Sequence, residues 1–279
     1  MSDFWVMRPF SPLFLIVFFT SREVVQPVSE GKGVSFKDTI KNLVGNKYLM
    51  IVTLVMILQM TAFMGRIAVT AYYVIYCLGS FTMIALIMTI PSIGGIVGSM
   101  FVPFAAKKVG CRNVLMGSMI VQAIGLLVMY FAPFDNIAMI LTGCVIFGLF
   151  NVGFPMSLSL VSDSVDYMEY KTGIRTDGSA YATYGLATKI GGAVGGAAGV
   201  LLLGAFGYAA NAQQTPEALK GINIVVNLIP ALIFLLASAA CLLWNKDETF
   251  FNNIRSELQK RKERKEKNTS LDETELLQG

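Results

Sequence analysis

Residues 162–181 read SDSVDYMEYKTGIRTDGSAY, four acids and two bases in twenty positions of a chain that is elsewhere mostly apolar. Residues 182–196 follow as ATYGLATKIGGAVGG, in which one lysine, Lys189, stands among glycines and alanines. Where these two stretches lie decides the fold. Of the 279 residues 54% are hydrophobic and only 14% charged, with a mean hydropathy of +0.62, well beyond an ordinary soluble domain. Crossing about 30 Å of hydrocarbon takes about 20 helical residues at 1.5 Å each. Six runs meet that length, at approximately 48–77, 81–103, 113–132, 136–160, 179–207 and 221–244. The expected fold is therefore an all-α membrane protein, with the charged island between the fourth and fifth spans and Lys189 inside the fifth.

Outward from the spans, PFSPLFLIVFFT at 9–20 would rise only about 18 Å as a helix. No base but Arg8 precedes it, Pro12 lies within it and no small-residue cleavage site follows, so it reads as the end of a transmembrane helix and not as a secretory signal. The expected organisation is a partial helix over 1–20, a central loop over 21–47, a six-span bundle over 48–244 and a tail over 245–279. In the loop, Phe36, Ile40 and Leu43 with the Ser35-x-x-Asp38 capping box predict a short amphipathic helix on the membrane surface. The tail carries eight acids against eight bases. That balance suits a solvated or membrane-surface helix and argues against nucleic-acid binding.

Cys77, Cys111, Cys144 and Cys241 are scattered without metal spacing, and the chain has no histidine. Zinc sites of the usual kind, Ser-His and Cys-His dyads and histidine proton relays are excluded, and the expectation is a non-enzyme without cofactor or bound metal. Orientation follows from the bases. Segments 21–47, 104–112, the island and the tail hold 18 of the 22 Lys and Arg residues, and alternating spans put all four on one side. By the positive-inside rule that side, including the C-terminus, is cytoplasmic.

Charges within spans are expensive and are functional candidates for that reason. A fifth span starting near Ser179 carries Lys189 about 15 Å deep, close to the midplane where transporters bind their cargo. Ala182, Gly185, Gly192 and Gly196 share its helical face and leave room for the ammonium, water or a ligand. The alternative is an ammonium satisfied by carbonyls or a carboxylate of a packed neighbour. A second row, Gly191, Gly195 and Gly199, lies on another face and suits the close approach of a neighbouring helix. Arg66 lies two thirds along the first span, just before Tyr72, Tyr73 and Tyr76. A base among aromatic rings suits a sugar, whose C–H faces stack and whose hydroxyls accept from guanidinium. An arginine snorkelling to the outer headgroups among interfacial tyrosines fits equally.

The stretches DSVDYMEYKTGIRTDGSAY, ATYGLATKIGGAVGG and GYAANAQQTPEALKGI (207–222) together resemble the tenth–eleventh loop, eleventh span and following outer loop of the glycoside-pentoside-hexuronide:cation symporters, the melibiose-permease-like branch of the major facilitator superfamily. GRIAVTAYYVIYCLG and FFTSREVV are similar to that family's seventh span and the end of its sixth. The resemblance covers about Phe10 to Trp244. It implies twelve spans in two halves, of which this chain carries the C-terminal six-helix bundle and a partial sixth-span stub, and it implies inward transport of a sugar or glycoside coupled to Na⁺, Li⁺ or H⁺.

By the same resemblance Lys189 matches the lysine at the sugar and cation site, and Thr188 falls at a sugar-lining position. Phe154 falls where melibiose-permease-like members place a tryptophan beside the sugar. Asp163, Asp166, Glu169, Tyr170, Lys171 and Arg175 match the loop signature. The superfamily's acidic-basic loop survives as AAKKVGCRN, with Lys107 where an aspartate is usual. The carboxylates that hold the coupling cation belong to the N-terminal half. The chain then derives from a truncated, split or misannotated gene, pairs with a separate N-terminal six-span half, or acts as a half-size homodimer. An alternative of another class is a non-transporting membrane component whose basic tail docks a soluble partner. At the cytoplasmic end, Asp163, Asp166 or Glu169 is expected to pair with Lys107, Lys108, Arg112 or Arg175, or with bases of the other half, as a gate.

Overall fold

The structure is a computed structural model that describes residues 43–210 and 212–278, with side chains to residue 264. The partial helix at 9–20 and the surface helix expected from Ser35, Asp38, Phe36 and Ile40 lie outside the described residues. Among those described there is no strand, and six segments are long and apolar enough to cross a membrane: Lys47–Cys77, Thr82–Val109, Cys111–Phe131, Ile137–Thr172, Asp177–Ala205 and Pro216–Leu243. The all-α membrane class is as the composition requires.

The first span is helix α1, Lys47–Tyr72, closed by a wide π turn, Tyr73–Cys77. Asn46 caps it, accepting from the Leu49 N–H at 3.2 Å while its own amide donates to the Ser164 carbonyl at 2.8 Å. Helix α2, Thr82–Val109, runs six residues beyond the apolar segment 81–103 and takes Lys107 and Lys108 into its last turn, where cations are favoured by the helix dipole. Gly110, at φ +82°, turns the corner into α3, Cys111–Phe131. Side chains rarely adopt that backbone geometry.

The fourth span departs from the expected continuous run over 136–160. Helix α4, Ile137–Leu149, stops, residues 150–152 are non-helical, and α5 resumes over Gly153–Thr172. Pro155 supplies the reason. It has no N–H for the Asn151 carbonyl and its ring would clash there, yet proline is tolerated in the first turn of a new helix. Helix α5 then runs on through the first half of the charged island, which is span end and not loop. Val161, Val165 and Met168 keep one face buried. The helix ends only at Gly173, φ +73°, whose N–H donates to the Glu169 carbonyl at 2.8 Å.

Helix α6, Asp177–Ala205, lies against α1 over much of its length, and the glycine row makes this possible. A Cβ built on Gly191 would lie 2.6 Å from the Ile57 carbonyl oxygen and one on Gly199 2.7 Å from that of Gly65; Gly195 meets Thr61 more closely still. The Thr61 hydroxyl donates to the Gly191 carbonyl at 3.3 Å. The last span comprises α7, Pro216–Asn223, a π turn over Ile224–Leu228 and α8, Ile229–Ala240, which packs on α1 and α3. The tail is not simply a solvated or surface helix. Its helix α9, Glu248–Gln278, docks Phe251, Ile254 and Leu258 onto the bundle at 1%, 4% and 7% exposure.

Candidate functional site

Helix α6 carries Lys189 as the thirteenth of its 29 residues, so a straight helix puts it near mid-span. The ammonium is exposed, and among the described residues it makes no hydrogen bond or ion pair. A Cβ built on Gly185 or Gly196, on the same face, meets nothing within 4 Å. The two glycine rows therefore do different things: Gly191, Gly195 and Gly199 seat α6 on α1, while beside Lys189 Gly185 and Gly196 face open space and a Cβ on Gly192 would meet only the Met64 side chain, at 3.6 Å. Thr188 is half-buried, and its hydroxyl donates to the Gly185 carbonyl at 2.8 Å, leaving its lone pairs free. Phe154 projects from the first turn of α5 at 50% exposure. Its ring meets that of Tyr184 at 5.7 Å, and Tyr184 stands one turn before Thr188 on α6. The break in the fourth span thus sets an aromatic edge next to the helix that carries Thr188 and Lys189.

Arg66 belongs to a different place. It is 3% exposed, so it does not snorkel to the headgroups. Its guanidinium lies over the Phe147 ring at 4.7 Å, and Nη2 contacts Met129 Sδ at 3.5 Å, while Nε has no partner among the described protein atoms. The structure buries Arg66 among α1, α3 and α4 and does not bring it together with the exposed Lys189. The same interior holds Gln59, Gln122, Ser157 and Asn227, each with a buried polar atom lacking a hydrogen-bond partner among the described protein atoms. Single uncharged polar residues in apolar runs gave no sequence signal for these.

At the end of the fourth span, Arg175 Nη1 donates to Asp166 Oδ1 at 3.2 Å and to Glu169 Oε2 at 2.6 Å, and its Nε donates to Asp177. Burial by itself would lower the pKa of Arg175, but hydrogen bonds to Asp177 and Glu169 outweigh it and hold the guanidinium charged above its ordinary value. Of the four bases expected to meet these acids, Arg175 does so. Lys107, Lys108 and Arg112 do not: among the described residues none has a carboxylate partner, and Arg112 Nε donates instead to the Cys241 carbonyl at 3.1 Å. The other partner comes from the tail. Arg255 on α9 pairs with the buried Asp163 and reaches Asp166 Oδ2 at 3.4 Å and Glu248 Oε1 at 3.5 Å. Among the described residues there is no group of three potential metal ligands.

A family model described as MFS/sugar transport protein matches residues 10–245. The chain belongs to the MFS/sugar transport protein family. Its resemblance to the glycoside-pentoside-hexuronide symporters is thereby sustained, and the family is one of transporters and not of enzymes. An uncharacterized symporter of Bacillus subtilis (strain 168) is 31% identical over 251 residues, covering 89% of this chain and 54% of the relative. An isoprimeverose transporter of Lactiplantibacillus pentosus is 30% identical over 239 residues, covering 85% and 50%. A putative sulfoquinovose importer of Escherichia coli (strain K12) is 30% identical over 221 residues, covering 78% and 47%. This MFS chain spans about half the length of the curated relatives it matches.

Proposed function

We propose that this chain works as the C-terminal half of a cation-coupled sugar or glycoside symporter in the cell membrane, with its C-terminus cytoplasmic. Lys189, Thr188 and Phe154 face the cargo in this reading, while Arg66 acts from the bundle interior, holding α1 against α3 and α4. The coupling ion is Na⁺ or H⁺, with its main ligands in the N-terminal half. The observation that carries the proposal is the mid-span ammonium of Lys189, exposed on a face of small residues with no carboxylate opposite it among the described residues. A charge in that position is costly in hydrocarbon, and a polar cargo at the interface of two halves gives it a use.

Supporting the sugar class, an exposed aromatic edge at Phe154 lies close to α6, and ring faces stack on the C–H surfaces of sugars. Supporting the two-half arrangement, the chain spans about half of its relatives. Asp163, Asp166 and Glu169, held by Arg175 and Arg255, form a cytoplasmic latch that closes the inner side in one state. Uptake of a panel of labelled glycosides tests the proposal, measured in Na⁺ and in Na⁺-free buffer in cells that supply this chain together with a six-span N-terminal half. Accumulation that depends on the cation gradient supports it. No accumulation of any glycoside, with both polypeptides present in the membrane, contradicts it.

A further inference from the structure

The bases that fail to meet the acids of the island gather elsewhere. Lys107 and Lys108 at the end of α2, Arg112 in the first turn of α3 and Lys246 before α9 line one cavity of about 370 Å³, together with Leu160, Trp244 and Phe251. Three acids line it too, and two of them are in ion pairs. Asp163 and Glu248 pair with Arg255, and Asp247 Oδ1 accepts from the Phe250 N–H at 3.1 Å. The four bases have no carboxylate partner among the described residues. Arg112 spends Nε on the Cys241 carbonyl, Lys246 rests over the Phe250 ring at 4.7 Å, and Lys107 and Lys108 make no ion pair. The cavity also receives the start of α3, a 21-residue helix with no side-chain cap at Gly110, whose free N–H groups favour an anion.

We propose that this cavity binds the phosphate of an anionic phospholipid headgroup. The phosphate would sit among Lys107, Lys108, Arg112 and the α3 N-terminus, above the floor formed by the largely buried Leu160, Trp244 and Phe251. A lipid is preferred over a free anion because of what lies beneath Lys108. Phe104 and Phe101 fall four and seven residues before it on the same face of α2, and are 69% and 64% exposed, so an acyl chain leaving the cavity has an apolar track to follow. Basic pockets at the ends of membrane helices bind acidic headgroups in this way. The same cations are thereby taken out of the gate and given a separate role at the corner that joins α2, α3 and the tail.

The full chain holds two tryptophans, Trp5 and Trp244, so Trp5→Phe leaves Trp244, which lines the cavity, as the sole reporter. The purified Trp5→Phe chain in neutral micelles is titrated with dioctanoyl phosphatidylglycerol, dioctanoyl phosphatidylcholine and inorganic phosphate, following Trp244 emission. The expected result is a saturable change with phosphatidylglycerol and little with phosphatidylcholine. Adding Lys107→Gln and Lys108→Gln should weaken the phosphatidylglycerol response at least about tenfold at unchanged helical circular dichroism. Equal responses to the two lipids, or a response to phosphatidylglycerol that ignores the two substitutions, would overturn the proposal. Saturation by inorganic phosphate at matching concentrations would overturn the lipid as the source and assign the same chemistry to a free anion.

Discussion

Arg66 and Lys189 are the two cations away from the ends of the described spans, and their surroundings are opposite. Arg66 is enclosed, with an aromatic face and a thioether against its guanidinium, partial compensation for a charge in low dielectric. Lys189 has neither ring nor carbonyl partner among the described residues, although a mid-span lysine costs about 3 kcal/mol on insertion scales. In the proposed function, what relieves that cost is water, cargo or the N-terminal half. Phe154 is half exposed, with its ring against that of Tyr184. Phe154→Ala should therefore leave stability almost unchanged while weakening sugar affinity about fivefold, the worth of about 1 kcal/mol of ring contact. The concentration dependence of uptake checks this, and an unchanged half-saturation would remove Phe154 from the site.

At the scale of helices, the contact between α1 and α6 depends on missing side chains. Gly195→Val puts a Cβ and two methyl groups where Thr61 and Gly65 already touch, and should cost about 1–3 kcal/mol of stability. Gly196→Ala, one position on, meets open space and should be neutral or slightly stabilising. Thermal unfolding of the two variants in detergent separates the faces, and equal effects would contradict the packing described. A second element-scale contact is the docking of α9. Arg255→Ala strands the buried Asp163 and should cost about 2 kcal/mol, less than a fully buried pair because Arg255 is itself partly exposed. Asp163→Asn in the same chain should restore much of the loss. Limited proteolysis of the tail and melting curves measure both.

The two glycine rows were legible in the sequence because their spacing follows the helix period, and the six spans because hydropathy averages over about 20 residues. The same averaging hid the break at 150–152, which is set by Pro155 within an unbroken apolar run. It also hid the docking of α9: Phe251, Ile254 and Leu258 follow a helical face, but the charges around them dominate the composition. The pairing of Asp163 with Arg255 joins residues 92 apart in the chain, and nothing in the spacing of either announces the other. Arg175 was legible because it lies within nine residues of the acids it holds.

For the molecule as a whole, the bases of the α2–α3 corner, the end of α5 with the following turn, and the tail gather on one side of the spans, which the proposed orientation puts in the cytoplasm. Single cysteines at positions 108 and 260, in a chain with its four native cysteines replaced, should react with a membrane-impermeant maleimide only after the cells are opened. A cysteine at position 213, in the opposite loop, should react in intact cells. The reverse pattern would invert the topology.

The central claim is that the face of α6 carrying Lys189 meets sugar and coupling ion. The most direct measurement is cation-driven glycoside uptake by Lys189→Ala, with a six-span N-terminal half supplied and membrane levels matched to wild type. The account predicts that coupled uptake is abolished while insertion and thermal stability persist, because Lys189 is exposed and makes no hydrogen bond or ion pair among the described residues. Uptake near the wild-type rate would contradict it.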